Sequence, residues 1–234
     1  MTDADDLKPG PWGARDGATP AEPQAWEVEP AAKPPWPWPV LALIALFTAI
    51  WLAEATIAPW LRAGTLSMAA LREGQWWTLV SHIGLHGLLP HLVFNMMALA
   101  QLGRELGPVF GPKLRGALVF LGLFLVCGVA GGVAFVLINP TGAAVGASGA
   151  ICGLWGAGAR LGGKGTLMDA VTGPAARGFV AMNVILIVLS LALTGLRSVG
   201  IAWEAHLGGY VAGVLLIGPA LRLAQRRLVR ADEL

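Results

Sequence analysis

Residues 139 to 161 read NPTGAAVGASGAICGLWGAGARL. From Ser148 to Leu161 the side chains are apolar or very small, before a Gly-rich stretch that carries Lys164. Asn139, Pro140 and Gly142 break any helix arriving from the N-terminal side. The fourteen residues 148–161 make about 21 Å of helix, against a hydrocarbon core of about 30 Å. A helix of this length that ends at one membrane surface must begin roughly 9 Å inside the other. Irregular backbone has to descend to that point, and it is tolerated there only against protein or a water-filled cavity. The stretch therefore predicts a helical membrane protein with a serine at the tip of a buried, half-length helix.

The rest of the chain agrees with that reading. Of 234 residues, 56% are hydrophobic and 13% charged, and the apolar residues fall in long runs instead of alternating, which indicates an all-α polytopic membrane protein. Six spans are predicted in a compact bundle, roughly 40–59, 90–104, 116–138, 148–161, 178–196 and 200–221. Residues 1–39 hold nine of the sixteen prolines and are expected to be a disordered tail. They lack the features of a cleaved secretory signal, so the first apolar run is expected to stay as a span. Residues 40–221 form the membrane domain and 222–234 a basic tail. With the N-terminus inside, the inner connections and C-terminal tail hold ten Lys and Arg and the outer loops only Arg62, Arg72 and Arg197. That asymmetry predicts both termini on the cytoplasmic side. The net charge of +2 offers no basic face for nucleic acid, and Cys127 and Cys152, each within an apolar segment, read as packing residues. The outer connection, about 60 to 89, contains Trp76, Trp77, His82 and His86 and is too apolar for a solvated loop.

Polar groups at membrane depth are costly enough to be read as functional. His206 lies about 9 Å into the sixth span, and His91 about 20 Å above Arg104 in the second, so both fall near the level of Ser148. Small residues at Gly149, Gly153 and Ala157, and at Gly209 and Gly213, give the fourth and sixth helices smooth stripes for close approach. A serine hydroxyl needs a base to take its proton, and neutral histidine suits that role. Ser148 and His206 fit as nucleophile and base. His91 and Asn95, at i and i+4, share one face and, with the N–H of Ser148, are candidates to hold an oxyanion. No carboxylate completes a triad: Glu204 should point away from His206, and Glu54 is more simply a structural hydrogen-bond partner. A zinc site at His82, His86 and His91 is disfavoured by their spacing across Pro90.

Gly146-Ala147-Ser148-Gly149 resembles the GxSG motif of the rhomboid family of intramembrane serine proteases. Ala205-His206-Leu207-Gly208-Gly209, running on to Gly213, is similar to the family's histidine motif, and His91 to Asn95 to its HxxxN element. Ser81-His82 with His86 resembles the histidine-rich lead-in. The resemblance covers roughly residues 76–214 and is to the bacterial, six-span type. It implies cleavage of transmembrane protein substrates near the outer face of the bacterial inner membrane, beside a small residue in a helix that unwinds readily. It also implies no metal or organic cofactor. Gly146 and Ala147 are then expected to line the substrate site, and His82 and His86 to be structural or water-holding. Three departures stand out: Trp77-Thr78 where many relatives have a Trp-Arg pair, Cys152 where relatives often set an aromatic ring against the histidine, and Glu105 slightly off the usual acidic position near the inner end of the second span. The alternative is a rhomboid-like binder or chaperone of transmembrane helices, which typically lacks the serine or the histidine. A small transporter would show an internal repeat.

Overall fold

The computed structural model describes residues 37–56, 63–162, 165–194 and 201–225. Of the predicted tails, residues 1–36 and 226–234 lie outside the described residues, while 222–225, assigned to the C-terminal tail, continue the last helix. In order the elements are α1 (Trp38–Thr56), β1 (Leu66–Ser67), α2 (Met68–Arg72), α3 (Thr78–Ser81), α4 (Leu89–Leu106), α5 (Leu114–Ile138), β2 (Ala143–Ala144), α6 (Ser148–Leu161), α7 (Leu167–Thr172), α8 (Pro174–Thr194) and α9 (Trp203–Gln225). A 3-10 turn, Gly107–Phe110, follows α4 directly.

Each boundary has a local cause. Pro90 sits in the first turn of α4, where its missing N–H is no loss. Asn139 and Pro140 end α5 after Ile138. Thr166 and Asp169 form a reciprocal capping box on α7, satisfying two N–H groups that a helix start leaves open. Gly173 then leaves the helix in an extended conformation and Pro174 starts α8.

The chain is a polytopic helical membrane protein. Four helical stretches are long and apolar enough to span a bilayer: Trp38–Thr56, Leu114–Ile138, Leu167–Ala192 and Trp203–Gln225. The two remaining long helices are α4, which carries His91, Asn95, Arg104 and Glu105, and α6, which has fourteen residues. Of the polar groups picked out from the sequence, these two carry His91, Asn95 and Ser148. The fifth apolar stretch is split in two, with α7 ending at Thr172 and α8 beginning at Pro174, four residues before the expected 178. The Arg177 guanidinium folds back to donate to the Thr172 carbonyl, completing the C-terminal end of α7.

The helix α9 packs mainly on α5 and α6, and α1 on α4. Val40, Leu99, Phe120, Phe124, Leu154 and Ile217 belong to one buried cluster that joins α1, α4, α5, α6 and α9. Between helices in lipid the gain is close van der Waals packing, since lipid tails are as apolar as leucine. Glycine makes that packing close. A Cβ on Gly209 would strike the Gly149 carbonyl, and one on Gly213 the Gly153 carbonyl. The Ala205 carbonyl lies 3.2 Å from a Cβ position on Gly149, and Gly131 of α5 approaches the same carbonyl. Three backbones thus meet at the residues directly beside Ser148 and His206.

The connection before α4 folds against the protein. Strand β1 pairs antiparallel with β2, Leu66 opposite Ala144 and Ser67 opposite Ala143, and the Gly146 N–H donates to the His82 carbonyl at 2.8 Å. The irregular descent into α6 therefore has protein partners for its backbone, as membrane depth requires. Helix α1 is fastened at Glu54, whose Oε2 accepts the His86 N–H at 3.2 Å.

Candidate active site

Helix α6 begins at Ser148, so the first N–H groups of the helix, including that of Ser148, have no intrahelical acceptor. The serine is half-buried and His206 is 5% exposed. Helix α9 brings His206 Nε2 to 2.9 Å from Ser148 Oγ. The glycine contacts set this distance, because α6 and α9 touch backbone to backbone one and two turns below.

The second partner of His206 comes from α8, a helix that supplied no candidate in the sequence reading. Nδ1 of His206 lies 2.7 Å from Oδ1 of Asn183. Asn183 is buried, and its Nδ2 donates to the Phe179 carbonyl at 2.9 Å. A carbonyl can only accept, so the amide nitrogen faces Phe179 and the amide oxygen faces the imidazole. Asn183 was findable as the one amide in a long apolar helix, a costly residue to leave without a role.

Aromatic packing holds α8 in place for this contact. Phe179 stacks on Tyr210 with ring centroids 4.2 Å apart, and Trp155 meets Phe179 edge-on at 6.0 Å. The Tyr210 hydroxyl donates to the Ala170 carbonyl at 2.8 Å, and Trp155 Nε1 to that of Ala175. Cys152 is buried in the same cluster as a free thiol.

His91 is half-buried, and its Nδ1 donates to the His86 carbonyl at 3.1 Å. Its other edge lies over Gly146, where a Cβ would come within 2.6 Å of Nε2. Gly146 also has φ +119°, in the range that penalises any side chain. Gly146→Ala is therefore expected to displace either the His91 ring or the turn into Ser148. An activity loss of about 10²-fold together with a fall in melting temperature of a few degrees would check this. Ala147 is fully buried beneath the turn.

Asn95 is 5% exposed and donates one amide N–H to the His91 carbonyl at 2.8 Å. Its Oδ1 is buried with no protein partner. His82 directs Nδ1 to the Thr78 carbonyl at 2.8 Å, and His86 directs Nδ1 to that of Gly84 at 3.0 Å. Burial lowers both imidazoles below their ordinary range, His86 to about 4 with a smaller contribution from the neighbouring His91. Both are neutral at pH 7 and fix backbone through their rings or carbonyls. The His86 ring also packs on Phe47 of α1 and on His91, with centroids 5.7 and 5.3 Å away.

The carboxylates are engaged elsewhere. Glu204 Oε1 accepts from Asn139 Nδ2 at 3.4 Å, and Glu54 holds the His86 N–H. Neither reaches His206 by a hydrogen bond.

Residues 73–222 match the family model for the rhomboid domain. The chain is 35% identical over 161 residues to RHOMBOID-like protein 5 of Arabidopsis thaliana, covering 66% of this chain and 47% of that protein. It is 29% identical over 150 residues to the rhomboid protease GluP of Bacillus subtilis (strain 168), covering 64% and 27%. With RHOMBOID-like protein 1 of Arabidopsis thaliana it shares 33% identity over 146 residues, covering 60% and 33%. It thus spans less than half the length of each of these three relatives. The matched region runs from just before α3 into the last turns of α9 and encloses Ser148, His206, His91, Asn95 and Asn183. By that match over most of its length, the chain belongs to the rhomboid family.

Proposed function

We propose that this chain is an intramembrane serine endopeptidase that hydrolyses peptide bonds in or near transmembrane segments of other membrane proteins. The single observation carrying the reading is the 2.9 Å contact between Ser148 Oγ and His206 Nε2. It occurs at the open end of a helix too short to cross a bilayer. His206 takes the Ser148 proton as Oγ attacks the substrate carbonyl, and then returns it to the leaving amine.

The developing oxyanion is held by the Ser148 N–H, at a helix N-terminus where donors are free and the dipole favours negative charge. Asn95 contributes the amide proton not used on His91. His91 spends Nδ1–H on the His86 carbonyl, so its Nε2 donates to the oxyanion only as an imidazolium. Gly146 borders the place where the substrate backbone lies, and Ala147, fully buried, supports that turn from beneath and does not line the substrate site itself. The partners are transmembrane proteins presented within the lipid bilayer. The Lys and Arg distribution supports cytoplasmic termini and a site near the outer face.

The test is covalent labelling. Purified protein in lipid or detergent should react with a fluorophosphonate at Ser148, and His206→Ala should block the reaction while leaving the fold intact. Absence of labelling in the folded wild-type protein would overturn the reading and favour a helix-binding, non-proteolytic role.

A further inference from the structure

We propose that Asn183 is a positioning residue that fixes the tautomer and the orientation of His206, so that the catalytic relay has three members and not two. The inference rests on the protease reading for its meaning in catalysis, although its structural content stands apart from that reading.

The direction of every hydrogen bond in the relay follows from one end. The Phe179 carbonyl is an acceptor, so the Asn183 side-chain NH2 faces it. The Asn183 oxygen is then left for His206 and can itself only accept, so the proton of the neutral imidazole resides on Nδ1. That leaves Nε2 with a lone pair, 2.9 Å from the Ser148 hydroxyl. This is the state a general base must have before attack. The other tautomer would set a lone pair against the Asn183 oxygen and remove the acceptor that Ser148 needs.

Nothing else on the described elements does this work. Glu204 and Glu54 are committed to Asn139 and to the His86 N–H. Position 152, one turn after the nucleophile, carries a cysteine and offers no ring to stack on the imidazole. The structure replaces face-on support with an edge-on hydrogen bond from a different helix. An amide is suited to this site, because it orients the ring without bringing a second charge into a low-dielectric interior. A carboxylate would hold the imidazolium more strongly, but its own desolvation would be costly.

The competing possibility is that Asn183 is interhelical glue between α8 and α9, which intramembrane asparagine often is. Two measurements separate these. In 15N-histidine NMR of the wild-type protein, with resonances assigned by single histidine replacements, His206 at neutral pH should be the Nδ1–H tautomer. In Asn183→Leu that preference should disappear. In the same variant kcat on a transmembrane reporter should fall about 10²-fold, with KM within about twofold of wild type. Asn183→Asp retains the acceptor and should recover part of the loss in kcat.

A wild-type His206 in the Nε2–H form overturns the proposal, as does Asn183→Leu with wild-type kcat. If Asn183→Leu does not fold, the wild-type tautomer and the Asn183→Asp turnover decide. If the wild-type protein neither cleaves nor labels, the protease reading fails, and the wild-type tautomer still decides whether Asn183 sets the imidazole.

Discussion

Replacing Ser148 with alanine is expected to lower cleavage of a transmembrane reporter by about 10³-fold or more, because it removes the nucleophile and leaves only binding and oxyanion stabilisation. The same change should leave the fold in place. The serine is half-buried, it opens α6, and its Oγ bonds to His206. Alanine is the better helix former, and the lost hydrogen bond is of the kind that contributes about 1 kcal/mol. The variant should therefore purify normally and melt within a few degrees of wild type. His206→Ala should be equally inactive but less stable. It opens a void and leaves the Asn183 oxygen buried without a donor, which costs about 1–3 kcal/mol. Detectable cleavage by purified Ser148→Ala, above that of a mock preparation, would remove Ser148 from the mechanism.

Gly213→Val is expected to be among the most damaging changes outside the site. A Cβ there meets the Gly153 carbonyl, a backbone atom with no rotamer by which to retreat. The helices must separate, and overpacking of this kind typically costs about 1–3 kcal/mol and at times more. Separation also lengthens the contact between Ser148 and His206, so activity should fall by about 10²-fold even in the fraction that folds. Gly122→Ala is the matched control. A Cβ at Gly122, also in a helix, meets nothing within 4 Å. It should be neutral, or stabilise by about 0.5–1 kcal/mol through the helix preference of alanine over glycine. Thermal melting and reporter cleavage of the two variants side by side check the claim. If Gly213→Val were as stable and active as Gly122→Ala, the close backbone contact would not be what sets the site.

Much of this arrangement was legible because membrane depth converts residue counting into distance. The limits of α6, from Ser148 to Leu161, follow from the turn residues before it and the glycines after it. His206 and Ser148 were matched because each lies on a helix whose entry point the sequence marks. Asn183 was missed for the same reason in reverse. Arg177 looked like a boundary, and counting upward from it gives about 9 Å, far below the serine. The helix in fact starts at Pro174, after the break at Gly173. Counted from there Asn183 is about 14 Å along, still short of the roughly 20 Å that separates Leu161 from Ser148, so counting alone does not level the two. The signal that would have corrected the boundary is Pro174 after Gly173, a helix start readable in the sequence. The pairing of β1 with β2 left no comparable trace, since two residues in each strand are too few for an alternating pattern. Glu54 had two open roles at the right depth, and only coordinates choose the structural one.

The polar fastening of α1 joins a carboxylate to a peptide amide, not to another side chain. Its two halves are therefore unequal under substitution. Any amino acid at position 86 other than proline supplies the same donor, so the attachment can persist while that histidine drifts, whereas a change at Glu54 has no substitute elsewhere. The first helix is thereby tethered by a bond that, proline at 86 apart, is lost only by a change at Glu54.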